Sequence, residues 1–268
     1  MTLDRQDLLS CIAAGSGPAV VLIHGTGADA QSNWGPLIET LGARYRVIAP
    51  NLPGAGGTSA RSLPLDLADL ADQVVATVRA TGVTGAFHLA GHSLGAVVAM
   101  AVAARHPDQV RTLLVHAGWT TTGPREALQF DLWARLLSVD LELLAKHLVL
   151  EAMSPALLQD ATTSQLADLV GGFSAMLDTA IAGQIELNTR IDLEAVLPGI
   201  QAPTLVIASA EDRIIPPPHQ RALAEAIPGA RYCEMAGGHG LPFEDSTRFF
   251  AMVAEWIDET HARMGTMA

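Results

Sequence analysis

Residues 89–107 read LAGHSLGAVVAMAVAARHP, and the fold turns on how few residues separate two kinds of structure there. Leu89 and Ala90 close an apolar, strand-like run, and residues 96–105 are alanine-rich and read as a helix. Only Gly91-His92-Ser93-Leu94-Gly95 remain to reverse the chain. A strand-to-helix turn that tight strains the backbone of its central residue, and small residues two positions to either side keep the neighbouring backbone from colliding. Ser93 is thereby pushed into the open. The helix that follows aims its N-terminus, with the Leu94 N–H, at the same spot, which suits it to hold negative charge.

Outward from this turn, short apolar runs at 19–23, 45–49, 86–90, 112–116, 204–208 and 231–235 alternate with helix-like stretches. That rhythm predicts an α/β fold, a mostly parallel sheet flanked by helices on both faces. Residues 8–14, ahead of the turn Gly15-Ser16-Gly17-Pro18, add an antiparallel edge strand. From Trp119 to Pro198 the strand signal vanishes and apolar residues recur at three- and four-residue spacing, with Pro124, Pro155 and Gly171-Gly172 dividing the stretch into four helices. The expected organisation is a core of residues 1–118 and 199–268 and a helical lid of 119–198. Helix packing accounts for most of the lid's apolar stripes; Trp119, Phe130, Trp133, Leu137, Phe173 and Met176 are those expected to face a cleft beneath it.

Composition narrows the partners. With 268 residues, 49% of them hydrophobic and 16% charged, the chain can bury one sizeable core. A formal charge of −12 argues against nucleic acid and anionic membrane surfaces. No apolar stretch approaches the roughly 18 residues of a membrane span, and Met1-Thr2-Leu3-Asp4-Arg5 lacks the basic-then-apolar pattern of a secretion signal, so the expected location is cytoplasmic. Cys11 and Cys233 have no metal-ligand spacing and read as buried thiols, not a disulfide or a metal site. Between Trp119 and Pro198 eleven acidic side chains face four basic ones, which favours an uncharged, largely apolar small-molecule substrate over an anion.

A serine hydroxyl is a weak nucleophile until a base takes its proton, so Ser93 calls for a histidine held by an acid. Of nine histidines, His88, His92 and His116 lie on or beside strands and read as structural, and His106 ends a helix before Pro107. His147, His219 and His261 fall in helical or surface stretches. His239, in Met235-Ala236-Gly237-Gly238-His239-Gly240, occupies a loop just after the last strand, at the sheet edge where Ser93 emerges. The acid comes from the loop after strand 204–208, where Glu211 and Asp212 stand side by side; Asp212 is preferred and Glu211 is the alternative. His24-Gly25-Thr26-Gly27, after strand 19–23, can aim the Thr26 N–H inward as a second donor beside Leu94 for a developing oxyanion.

In this order, Ser93, Asp212 and His239, together with the 24–27 loop, Arg46-Val47-Ile48-Ala49-Pro50 and the helical insertion, resemble the α/β-hydrolase superfamily over nearly the whole chain. The resemblance implies a Ser-His-Asp triad, Thr26 and Leu94 as oxyanion donors, an eight-stranded or slightly reduced sheet with its lid after the sixth strand, and no cofactor. Serine at the nucleophile position disfavours the dehalogenase and epoxide hydrolase branches. Leu114-Val115-His116-Ala117-Gly118-Trp119 and Ala236-Gly237-Gly238-His239 look like 3-oxoadipate enol-lactonases and aminoacrylate hydrolases. His24 to Gly27 with Asn33-Trp34 also resembles the meta-cleavage carbon–carbon hydrolases, although Gly240 and Leu241 follow His239 where those enzymes usually carry a tryptophan. Ala96 stands where many relatives have a second glycine after the turn. The reading is a serine hydrolase of an ester or lactone, with a carbon–carbon hydrolase or a non-catalytic ligand receptor as rivals.

Overall fold

The structure, a computed structural model, describes residues 8–61 and 63–265. Met1 to Arg5, read above for a secretion signal, lie outside the described residues. Seven strands are described: β1 (Cys11–Ala14), β2 (Ala19–Ile23), β3 (Arg46–Pro50), β4 (Phe87–His92), β5 (Val110–His116), β6 (Thr204–Ser209) and β7 (Arg231–Met235). They form one sheet in the order β1-β3-β2-β4-β5-β6-β7, with β1 antiparallel to β3 and all other pairs parallel. Helices α1 (Ala30–Gly42), α2 (Leu67–Ala80) and α3 (Leu94–Arg105) lie in the connections between β2 and β3, β3 and β4, and β4 and β5. Between β5 and β6 come α4 (Pro124–Val139), α5 (Leu141–Ala152), α6 (Pro155–Asp160), α7 (Thr163–Met176) and α8 (Ala182–Asn188). The chain continues with α9 (Pro217–Ala226), α10 (Leu241–Glu244) and α11 (Ser246–Gly265). Among the described residues the sheet has seven strands, and the helical insertion follows the fifth of them.

Side chains alternate along the central strands and so divide the core in two. Val21, Ile23, Leu89, Leu113 and Val115 pack on the side of α2 and α3. Val20, Leu22, Ala90 and Leu114 meet Trp34, Leu37 and Leu41 of α1 and Phe249, Val253 and Trp256 of α11. Residues 94–103 of α3 are all buried, so this helix has no polar face. Ala96 is accommodated because a Cβ on Gly118 would stand only 3.1 Å from its methyl; the glycine at 118 supplies the room. No single described helix is long and apolar enough to cross a membrane.

Two expectations change. The turn after Ala90 is tighter than five residues, because β4 keeps its ladder with β5 as far as His92 opposite His116, and α3 begins at Leu94. Ser93 alone stands between strand and helix. The insertion holds five described α-helices, and Gly171-Gly172 break none of them: both sit inside α7, where nothing within 4 Å of either position demands a glycine. A helix tolerates each at about 1 kcal/mol relative to alanine. Pro124 and Pro155 do open α4 and α6, as first-turn prolines can.

Candidate active site

Parallel register brings four loops to one edge. Ile23 lies opposite Gly91, His92 opposite His116, and Ser209 opposite Met235, so the chain leaves β2, β4, β6 and β7 on the same side of the sheet. That is where open α/β sheets form their clefts. Ser93 has φ 54° and ψ −122°, a backbone conformation costing on the order of 1–3 kcal/mol in a residue with a Cβ. The two glycines that flank it are required by close approach: a Cβ on Gly91 would collide with the Gly95 carbonyl, and one on Gly95 with the carbonyls of Ile23 and His24.

His239 Nε2 lies 3.0 Å from Ser93 Oγ, and His239 Nδ1 lies 2.8 Å from Asp212 Oδ2. The other carboxylate oxygen of Asp212 accepts from the N–H groups of Ile214 and Ile215 at 2.9 and 2.8 Å, which turns the carboxylate toward the imidazole. All three side chains belong to buried residues. With Asp212 accepting at Nδ1, that nitrogen carries the proton and Nε2 is left to accept from the serine. Glu211 is half-buried and contacts this loop through its backbone N–H, which bonds to the Gly237 carbonyl. The Leu94 N–H, first in α3, has no acceptor within its helix. The 24–27 loop passes directly over the serine: a Cβ on Gly25 would lie 3.1 Å from that of Ser93.

A cavity of about 50 Å³ opens on Ser93 and His239, lined among others by Thr26, Leu148, Ile214 and Phe243. Of the six apolar residues expected there, Trp133, Phe173 and Met176 line it. Trp119, Phe130 and Leu137 do not, which corrects the sequence reading. They are buried behind the wall, where Trp119 packs 5.7 Å from Phe130 and donates its indole N–H to Thr122. Beyond Phe173, Met176 and Phe243 lies a larger cavity of about 740 Å³, mainly apolar, with Asp160 and Asp168 at its edge. None of the insertion's arginines faces either space. Arg135 pairs with Asp131, Arg190 with Glu186, and Arg125 with Glu126 and the backbone of Arg213 and Ile214.

A family profile described as the alpha/beta hydrolase fold matches residues 18–246. The chain belongs to that family. A pyrrolizixenacetamide deacetylase from Xenorhabdus hominickii is 33% identical, the match covering 91% of this chain and 92% of the relative. A protein of Caulobacter sp. (strain K31), provisionally named carbamate hydrolase RutD, is 31% identical over 89% of this chain and 90% of its own length. The enol-lactonase from Burkholderia xenovorans LB400 superposes with a TM-score of 0.82 at 25% identity, covering 93% of this chain and 96% of its own. The protein is thus a hydrolase, and the proteins it resembles are named for several substrate classes.

A strand histidine, structural by its place in the sequence, stands beside the candidate triad in this hydrolase. His92 lines the small cavity, its ring centroid 5.1 Å from that of His239. Its Nδ1 faces Nδ1 of His116 at 2.9 Å, and His116 Nε2 lies 2.9 Å from Ser209 Oγ. One of the facing nitrogens must donate and the other accept, so the pair suits two neutral imidazoles. Burial, reinforced by neighbouring histidines, pushes both pKa values well down. Burial likewise lowers His24, whose Nε2 accepts from the Leu52 N–H, to about 4. His88 is also lowered to about 4, by burial and then by Arg111.

These four groups predict acid sensitivity. Each binds its proton less tightly in the folded than in the unfolded chain, so stability is full above about pH 6.5 and falls as pH drops toward 4. His24 alone accounts for about 2 kcal/mol lost at pH 5. Thermal melts between pH 7.5 and 5 are expected to show a falling midpoint. A midpoint unchanged over that range would contradict the burial of neutral histidines.

Proposed function

We propose that the protein is a serine hydrolase that cleaves a carboxylic ester or lactone of a neutral, largely apolar small molecule through an acyl-enzyme. His239 accepts the Ser93 proton as Oγ attacks the carbonyl carbon; the Thr26 and Leu94 N–H groups hold the oxyanion, and Asp212 steadies the imidazolium. His239 then protonates the leaving oxygen. Water, deprotonated by His239, attacks the acyl-enzyme and releases the acid and Ser93. The single observation that carries this reading is the unbroken chain Ser93 Oγ, His239, Asp212 at 3.0 and 2.8 Å beneath an apolar cavity.

The small space at the serine suits a short acyl group, with the remainder of the substrate in the outer cavity. Arginines turned away from both spaces, and aspartates at the outer rim, support a neutral substrate. A second reading, cleavage of an amide or carbamate C–N bond, draws on the deacetylase and the Caulobacter relative; it uses the same residues, with His239 protonating the leaving amine.

A panel of acyl p-nitrophenyl esters, lactones and N-acetyl amides tests both. The expected result is a higher kcat/KM for acetyl than for long acyl esters, and for each neutral compound over its carboxylate-bearing analogue. A tenfold preference for the anionic analogue would overturn the neutral-substrate reading and favour a site like that of a 3-oxoadipate enol-lactonase. Faster turnover of the amides moves the assignment to C–N cleavage, and turnover of a coloured dienol moves it to carbon–carbon cleavage. Tight binding of panel members without turnover of any would favour a ligand receptor.

A further inference from the structure

The helix α8 carries two buried amides, Gln184 and Asn188, one turn apart and therefore on one face. Both reach across to the 24–27 loop. Gln184 Oε1 accepts from the Gly27 N–H at 3.2 Å while its Nε2 donates to the Pro53 carbonyl at 2.9 Å. Asn188 Nδ2 donates to Thr26 Oγ1 at 2.9 Å. On the other side of Thr26, the Gly25 N–H donates to Asn33 Oδ1 at 2.9 Å. The peptide N–H groups before and after Thr26 are thus each tied to a buried side-chain amide. The Thr26 N–H itself makes no hydrogen bond among the described residues.

A buried amide costs free energy unless its hydrogen bonds offset the loss of water. Packing alone does not account for Asn188, since its Oδ1 has no partner among the described residues and a leucine would fill the same space. The end of α8 is itself secured, because the Asn188 carbonyl accepts from Thr122 Oγ1 at 2.6 Å, and Thr122 accepts from the Trp119 indole.

We propose that Gln184 and Asn188 are positioning residues for the reaction: they fix the flanking peptide and the Thr26 side chain so that the Thr26 N–H points at the incoming carbonyl oxygen. The oxyanion site is then complete only while α8 is seated on the loop. This rests on the serine-hydrolase reading above.

The test compares Gln184→Met, Asn188→Leu and the double variant with the parent protein on the fastest neutral ester of the panel. Losing one oxyanion donor outright costs roughly 10²- to 10³-fold in kcat. A displaced donor should cost the double variant about 10- to 100-fold in kcat, with KM changed less than about threefold. A trifluoromethyl ketone supplies the second readout. Its carbonyl carbon bonds to Ser93 Oγ, the proton passes to His239 and the carbonyl electron pair becomes an oxyanion held by the same donors. Its affinity is expected to fall by the same factor as kcat, while a simple alcohol analogue binds unchanged. A kcat within twofold of the parent, or ketone affinity untouched, would overturn the proposal. If the double variant does not fold, Thr26→Val breaks the Asn188 bond from the loop side and should show the same loss confined to kcat. Ser93→Ala run beside them separates the two levels of inference. An inactive Ser93→Ala with a parent-like Gln184→Met and Asn188→Leu removes the positioning role alone, whereas an active Ser93→Ala removes the underlying reading and this role with it.

Discussion

Purified Ser93→Ala is expected to lose about 10⁴- to 10⁶-fold in turnover of any substrate the parent protein hydrolyses. The substitution removes one oxygen, whose hydrogen-bond partner is His239, and leaves no apolar cavity. The backbone at residue 93 bonds to the His116 carbonyl through its N–H, and the Ser93 carbonyl accepts from Ala96 and Val97; alanine keeps all three bonds. The melting temperature should therefore stay near that of the parent while activity disappears. Parent-like turnover by Ser93→Ala, with contaminating hydrolases excluded by active-site titration, would end the serine mechanism.

For the acid, Asp212→Asn should cost about 10⁴-fold in kcat and Glu211→Gln less than about threefold. The difference follows from which carboxylate meets the imidazole. Asparagine at 212 can still accept from Ile214 and Ile215 through its oxygen, but it then presents an NH₂ group to His239 Nδ1. That donor stabilises the tautomer with its proton on Nε2, the nitrogen that must be free to accept from Ser93. Glu211 is tied to the site through its backbone, so removing its charge leaves the histidine as it was. The measurement is kcat/KM for both variants across pH 6 to 9. A larger loss in Glu211→Gln would transfer the role to Glu211.

What could be read from the sequence alone was whatever local geometry dictates. The strained serine between two glycines is such a case, because strand, turn and helix lie within twenty residues and the collision that excludes a side chain at Gly91 involves Gly95, four positions away. The alternation of strands and helices and the place of His239 after the last strand are legible for the same reason. The preference for Asp212 over Glu211 had no such local basis, since adjacent acids differ only in the direction the folded turn gives each side chain. Nor could apolar periodicity separate Trp133, Phe173 and Met176, which line the cavity, from Trp119, Phe130 and Leu137, which pack behind it. A cavity wall and a helix interface select the same residue types at the same spacing. Gln184 and Asn188 lay beyond the sequence altogether: amides on a helix read as a solvated face, and their partners are 157 and 162 residues away. Only tertiary packing buries those amides and brings them within hydrogen-bond distance of the Gly27 N–H, the Thr26 hydroxyl and the Pro53 carbonyl, joining α8 to the serine's loop.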